Sequence, residues 1–488
     1  MSQKNAPVRV LFASLPWDYD GMRPAFQYTP NSLVQWLTGD SGTWVGTSPP
    51  LGLMYLSSVL RLDGVETRFL DGFTYSLDDF VRVIEQWRPD VLAVQLHAKN
   101  WPRDRTSITR LRERFPRLTI VAGGAHARRM GARLLVECPT LDAIIPGEGE
   151  PLITELVRRA STREPLAGMR GIIARTADGP VDGGILPGVR DLDTLPFPDY
   201  SLIDLADYIP TQNRFHLLPC SSVIDSRGCA FNCTFCDSAK DFRWRSPENI
   251  VEELHWLREQ YSVRDIMFFS NVFTVPRNNA QAICEAMIDA KLNIVWHANV
   301  RANAVDRDIL RLMREAGCRT VYFGIESGSQ RVLDEIGKGI TLDQVREAVG
   351  HASEAGLEVL GFFMIGFPGE TEEDVAETVR FAKTLDLDYA NFTPLSFYHA
   401  TDEFEGLEGG PSLVLGELTD VRRDELGIMT GEELNRLERR SLRSFFMRPE
   451  YVLHRITRIR DLCDVKKNVT GLSCLINSFL MKGERDIT

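Results

Sequence analysis

No stretch of the chain reaches the roughly 18 apolar residues that a membrane-crossing helix requires. The segment 472–481 is apolar but short and interrupted by Asn477, and reads either as a packed terminal helix or as a contact with a membrane surface. The first residues, Met1-Ser2-Gln3-Lys4-Asn5-Ala6-Pro7, hold no apolar signal core. Positive charge is in deficit: Lys and Arg number 56 against 68 Asp and Glu, a formal net charge of −12. That balance argues against a nucleic-acid surface and for a small-molecule or protein partner. The local basic run Arg436 to Arg443 reads as a solvated helix face. Cysteine is scarce, nine in all, and the odd count with a single tight group is not that of a secreted disulfide scaffold. The expectation is a cytoplasmic protein. Neither G-x-G-x-x-G nor G-x-x-x-x-G-K-S/T occurs, which leaves a dinucleotide or P-loop reading without support.

The 488 residues present exceed one typical domain and predict two large domains with a smaller appendage. From Val8 onward, short β-rich runs (8–14, 67–70, 91–95, 119–122, 143–145) alternate with amphipathic helical spacing (51–60, 77–86, 104–114, 128–137). Alternation of this kind makes a doubly wound, Rossmann-like parallel sheet, whose ligand lies beyond the carboxyl ends of its strands. Domain one is expected over 1–165. The loops at that end include Leu15-Pro16-Trp17, Gln95-Leu96-His97-Ala98, Gly123-Gly124-Ala125-His126 and Gly147-Glu148-Gly149-Glu150. Their Gly pairs permit either close backbone approach to a bulky ligand or simple tight turns. Trp17 and His97 stand at strand ends where they would meet a ligand or merely pack. A Gly- and Pro-marked connector is expected over 166–205, its stretch from Asp178 to Pro187 being Gly-rich and polar.

Residues 206–411 repeat a strand–helix unit, with strands expected at 222–225, 266–269, 295–299, 320–324, 358–363 and 389–394, a partial (β/α)6 barrel. Functional groups of such barrels sit at the carboxyl ends of the strands. Read in turn, those ends carry three cysteines, then Ser270-Asn271, Asn299-Val300-Arg301, Gly324-Ile325-Glu326-Ser327-Gly328 and Gly361 to Glu370. Taken singly each is weak: Glu326 also fits a helix N-terminal acid, and Gly366-Phe367-Pro368-Gly369 a plain turn. Helical spacing dominates 412–488, with Thr430 and Glu433 placed as an N-cap and its reciprocal acid.

The cysteines Cys229, Cys233 and Cys236 fall within eight residues in the spacing C-x3-C-x2-C, with Phe235 just before the last. Thiolates select iron–sulfur clusters, zinc or Cu(I), and a closed site needs a fourth ligand that this loop does not supply. An open metal position suits catalysis. A non-catalytic iron–sulfur electron carrier is the reading from another class; it requires a fourth ligand, for which Cys220, nine residues upstream, is the nearby candidate.

The cysteine spacing, together with Gly324-Ile325-Glu326-Ser327-Gly328, Lys338-Gly339 and Gly366-Phe367-Pro368-Gly369-Glu370-Thr371, resembles the radical S-adenosylmethionine (SAM) enzymes. Upstream, Ser48-Pro49-Pro50-Leu51-Gly52-Leu53, Val121 to His126 and Gly147 to Glu150 resemble the N-terminal domain of the cobalamin-binding branch. The resemblance implies a 4Fe–4S cluster on the three cysteines, and SAM at its open iron in contact with Phe235, Ser270, Asn299, Arg301, Glu326 and Gly366. It implies cobalamin near Trp17, His97, Gly123, Gly124 and Glu148. The implied activity is methylation of an unactivated carbon of a small-molecule substrate through a 5′-deoxyadenosyl radical, with ring formation or rearrangement without methyl transfer as the alternative. It also implies an electron donor such as flavodoxin or ferredoxin. One departure stands out: the D-x-H-x-x-G motif of methionine-synthase-type cobalamin domains, whose His ligates cobalt, is absent.

Overall fold

The structure, a computed structural model, describes residues 7–16, 48–208, 215–236, 238–395, 429–459 and 464–465. They form two compact units, one holding the first strand and Pro49–Asp207, the other continuing from Tyr208. Trp17, the segment 413–428 and the apolar run 472–481 lie outside the described residues.

In the first unit, β1 (Arg9–Ser14), β2 (Glu66–Asp71), β3 (Val91–Gln95), β4 (Thr119–Gly123) and β5 (Ala143–Ile144) are parallel, in the order β2-β1-β3-β4-β5. Alternate side chains feed two cores. Leu11 and Ala13 of β1 pack with Phe80, Ile108 and Leu134 on one face, and Val10 and Phe12 with Leu53, Leu60 and Leu156 on the other. The central strands β1 and β3, buried on both faces, are near-continuous apolar runs, while the edge strand β2 is largely polar. The expected strands and helices are present, with two differences. The helix expected over 128–137 is two short helices, Ala125–Met130 and Ala132–Glu137, broken at Gly131, whose φ is +52°. And β6 (Ile173–Thr176) with β7 (Gly179–Asp182), inside the stretch expected as connector, forms an antiparallel hairpin added to β5. Its two-residue turn is Ala177-Asp178, followed by Gly179 at φ +118°, in a stretch whose Gly-rich composition reads as connector.

The chain after the hairpin is fastened to the helix Leu51–Leu62. Ser58 Oγ donates to the Phe197 carbonyl (2.6 Å), Ser57 Oγ to Asp199 (2.7 Å), and Arg61 pairs with Asp199 at 3.2 Å. The connector is stiff because it is stapled, as well as through its prolines.

In the second unit six parallel strands run β8 (Cys220–Val223), β11 (Asp265–Phe268), β12 (Val295–Val300), β13 (Cys318–Glu326), β14 (Glu358–Ile365) and β15 (Tyr389–Pro394), neighbours in that order. Met267, Tyr322 and Leu360 fill their concave side with Phe362 and Tyr389. A small two-stranded ribbon, β9 (Ser226–Arg227) with β10 (Arg243–Trp244), follows β8. Thr371 and Thr430 each start a helix with a reciprocal capping box, closed by Asp374 and Glu433. The last described helix, Pro449–Thr457, is held by buried charge: Arg455 meets Asp388 at 2.9 Å, and Asp388 also accepts the Val359 N–H at 2.9 Å.

In the first unit, Asp104 is only 2% exposed, and burial pushes its carboxyl up to about 8. The folded state therefore holds a proton that the unfolded chain has lost. Stability falls as pH rises from the ordinary carboxylate range to about 8 and is level above it. The isosteric Asp104→Asn variant is expected to remove that slope and to melt higher than the wild type at pH 8.5. Calorimetry across pH checks this, and equal melting of the two proteins at pH 8.5 would be the contrary result.

Candidate active site

The cysteine loop begins where β8 ends, and local chemistry shapes it before any metal is considered. Gly228 has φ +80°, and a Cβ there would stand 2.3 Å from the Asp241 carbonyl oxygen, so only glycine permits the crossing. The β9–β10 ribbon ties the two ends of the loop together. Inside it the Cys229 N–H donates to the Ala239 carbonyl (2.8 Å), the Cys236 N–H to the Cys233 carbonyl (3.2 Å), and the Thr234 N–H to the Ile336 carbonyl (3.0 Å). Phe235 meets Phe367 edge-to-face at 5.5 Å. Beneath the loop Arg245 is buried against Glu253 and donates to the Ile224 carbonyl at 3.0 Å.

All three cysteines line one cleft open to solvent. Its other walls come from the carboxyl ends of β12, β13 and β14 and the segment after β11: Asn271, Asn299, Arg301, Gly324, Glu326 and Phe362 among them. Glu326 ends β13 in the left-handed region, φ +68°, at a register shift against β14. A non-glycine residue held there costs about 1–3 kcal/mol and is over-determined by its surroundings. Here the determinant is Lys338, whose Nζ donates to Glu326 Oε1 at 2.7 Å with both side chains over 90% buried. Gly324 leaves room for the pair, since a Cβ would fall 2.7 Å from Glu326 Oε1 and 3.1 Å from Lys338 Nζ.

Arg301 lies over the Phe231 ring (4.1 Å to its centroid), donates from Nε to Asn303 (2.9 Å), and points Nη1 at Cys233 Sγ (3.5 Å). No carboxylate among the described residues pairs with it. Asn299 donates to the Ser270 carbonyl at 2.8 Å, and Asn271 to the Gly228 carbonyl at 2.6 Å.

Of the residues singled out in the barrel, the cleft brings together Cys229, Cys233, Cys236, Phe235, Asn299, Arg301 and Glu326. Ser270 and Gly366 are not on its wall. The Ser270 side chain is buried beside Asp225, leaving its carbonyl to orient Asn299. Gly366, φ +94°, is pressed against Leu434 of the helix Gly431–Phe446, where a Cβ would meet Leu434 Cδ2 at 2.6 Å. Its N–H and that of Phe367 donate to the Glu370 carboxylate at 2.5 and 3.1 Å. Lys338, Phe231, Tyr322 and Phe362 line the cleft and were not singled out as contacts. Lys338 was visible only as part of a Lys-Gly motif. Phe231 belongs to the cysteine loop itself, and Tyr322 and Phe362 stand on β13 and β14, where strand periodicity does not say which end of a strand is open.

In the first unit the order β2-β1-β3-β4-β5 reverses between β1 and β3, the switch point where open α/β sheets bind ligands. His97 and Gly124 are exposed there, and Gly124, φ +96°, brings the loop after β4 against the Leu96 carbonyl, 3.1 Å from where a Cβ would stand. Gly123 precedes it at the end of β4. Glu148 accepts the Val189 N–H at 2.9 Å and so holds the connector. His126 is buried against Trp101 (ring centroids 5.3 Å apart), and burial lowers its imidazole to about 4.

These features define a metal-cluster enzyme: a half-open barrel with thiols on its first loop, joined to a doubly wound ligand-binding domain. Comparison with known proteins narrows the class. Residues 223–382 match the radical SAM superfamily and residues 40–157 the B12 binding domain. An uncharacterized methyltransferase of Pyrococcus horikoshii is 34% identical over 87% of this chain and 94% of its own length. The anaerobic magnesium-protoporphyrin IX monomethyl ester cyclase of Rubrivivax gelatinosus is 28% identical over 91% of this chain and 80% of its own. The solved structure of TsrM from Kitasatospora setae, a radical S-adenosylmethionine methyltransferase with cobalamin and a 4Fe–4S cluster bound, shares the fold, with a TM-score of 0.61 at 19% identity over 80% of this chain and 75% of its own. The chain belongs to the cobalamin-binding radical SAM family.

The residues present fit that family's cofactors, a 4Fe–4S cluster, SAM and cobalamin. Among the described residues no three His, Cys, Asp or Glu side chains are placed to hold a single metal ion. The three thiols line one cleft, and thiolates of this kind are the soft donors that an iron–sulfur cluster takes. Cys220 is no fourth ligand. It opens β8, at the far end from the loop, 3% exposed beside Asp265, and burial raises its thiol to about 12. In the first unit the switch-point loops carry the exposed His97 and Gly124, which leave room for a bulky ligand, while His126 is buried against Trp101. Cys233→Ala is therefore expected to abolish cluster loading under anaerobic reconstitution, while Cys220→Ala retains the iron and sulfide content of the wild type. Equal loss in both would return Cys220 to the ligand set.

Proposed function

We propose that this chain methylates an unactivated carbon of a small-molecule substrate by radical chemistry. When bound, the cluster supplies the electron that splits SAM into methionine and a 5′-deoxyadenosyl radical, and cobalamin supplies a centre that carries methyl. The observation that carries the reading is the cleft at Cys229, Cys233 and Cys236, with a buried guanidinium lacking any carboxylate partner among the described residues. Arg301 and Lys338 would receive the carboxylate of the methionine end, and Glu326 its ammonium or the ribose. Asn299 would donate or accept beside them. Phe231, Phe235, Tyr322 and Phe362 wall the cleft with surface that offers few polar groups to water. Glu370 fixes the Gly366 turn by accepting two backbone N–H groups, and the helix Gly431–Phe446 presses on that turn through Leu434. His97, Gly123 and Gly124 would line the corrin in the first unit.

Methyl transfer is favoured by the 34% identity to the Pyrococcus methyltransferase across nearly its full length. Ring formation without methyl transfer is the second reading, favoured by the Rubrivivax cyclase, 28% identical over 91% of this chain. The same reading places the protein in the cytoplasm with a flavodoxin or ferredoxin as electron donor. Among the described residues no helix is long and apolar enough to cross a membrane.

The test is anaerobic reconstitution with hydroxocobalamin, followed by incubation with SAM and a low-potential reductant. 5′-Deoxyadenosine together with S-adenosylhomocysteine is the expected product pair; deoxyadenosine alone would support ring formation or rearrangement, and neither product would defeat both readings. Lys338→Ala removes one charge from the ion pair and leaves Glu326 buried and unpaired, a loss of about 3–5 kcal/mol for that interaction. It is expected to weaken SAM binding at least a hundredfold by equilibrium dialysis. Unchanged affinity would remove Lys338 from the SAM site.

A further inference from the structure

Arg301 is 5% exposed, and among the described residues it has no anionic partner. Three contacts fix the guanidinium: the face of Phe231 at 4.1 Å, Asn303 Oδ1 at 2.9 Å, and Cys233 Sγ at 3.5 Å. Asn303 is itself anchored, donating from Nδ2 to the Gly339 carbonyl at 3.0 Å. The guanidinium is thus held in one place, and its third contact is to a thiol of the cluster loop. Hydrogen bonds to cluster sulfurs and nearby net charge are the means by which proteins set iron–sulfur potentials. A charge-assisted N–H donor aimed at a ligand sulfur acts through both.

We propose that Arg301 tunes the cluster: by donating to Cys233 Sγ from a fixed position, it makes one-electron reduction easier before SAM is present. The proposal rests on the radical SAM reading of the same cleft and adds a role to the binding of SAM assigned above. Reduction adds one electron from an external low-potential donor and one negative charge to the cluster, with no bond made or broken. A buried cation beside the sulfur stabilises that added charge. Asn303 and Phe231 are positioning residues, which keep the guanidinium against Cys233 when the cleft is empty of substrate.

The experiment uses the full chain, reconstituted anaerobically, with SAM left out. Iron and sulfide are counted first, and the reduced cluster is then measured by EPR along a dithionite titration with redox mediators. At the potential where the wild type is half reduced, Arg301→Gln is expected to show a reduced-to-oxidised ratio about tenfold lower, a shift of ~59 mV for a one-electron couple. Arg301→Lys, with charge but no planar fork, is expected to fall between the two. Equal ratios at equal iron content would overturn the proposal and leave Arg301 as a SAM contact alone. Should Arg301→Gln fail to load iron, Asn303→Ala replaces it, with a smaller shift of the same sign expected and no shift overturning the idea. The underlying reading is judged separately on the wild type, whose cluster signal should change when SAM is added. A wild type that loads cluster without responding to SAM fails that reading, and one that loads no cluster fails both.

Discussion

Three thiols must stand apart and still face one cavity, and no short loop meets that demand alone. Sulfur ligands on separate irons cannot crowd onto a point, so the loop has to be spread and held open. The backbone does this work. Gly228 turns where a side chain would strike the Asp241 carbonyl, the β9–β10 ribbon closes the base, and the amides of Cys229, Thr234 and Cys236 are each bound to a carbonyl. One of those carbonyls belongs to Ile336, at the turn that delivers Lys338. The loop and the ion pair it faces are thus braced against each other.

The barrel explains why the facing groups arrive on the same side. Parallel strands point their carboxyl ends one way, so Asn299, Glu326 and Phe362, taken from three strands, meet at one rim. Glu326 gets its aim from a strained backbone that the Lys338 pair keeps in place. Charge is used sparingly inside this unit. Several buried groups are paired or capped, as with Arg245 and Glu253, Asp388 and Arg455, and Glu370 over the Gly366 turn. Arg301 has no carboxylate partner among the described residues and is aimed at Cys233 instead.

The first unit solves a different problem with the same economy. Gly123 ends β4, and Gly124 follows at φ +96°, with the Leu96 carbonyl 3.1 Å from where a Cβ would stand. The hairpin β6–β7 extends the sheet at the edge remote from the switch point, and the following chain is pinned by Ser57, Ser58 and Arg61. Glu148, on a glycine-rich loop of that unit, anchors this connector.

What the sequence determined by itself was the order of elements and the metal chemistry. Apolar periodicity located the parallel strands of both sheets because their buried faces leave a mark residue by residue. Cysteine spacing survived as a signal because ligation depends on neighbours a few residues apart. The departures came where a local pattern was ambiguous: the β6–β7 hairpin lay in a stretch that composition marks as connector, and Gly131 broke a helix that periodicity runs straight through. Only the tertiary structure decided that Ser270 turns inward, that Gly366 packs on Leu434 rather than on the cleft, and that Lys338 comes back to Glu326 from twelve residues on. It likewise decided that Arg301 reaches a sulfur 68 residues away in the chain. Such contacts depend on register and on which way a strand end points, and neither is written in the identity of any one residue.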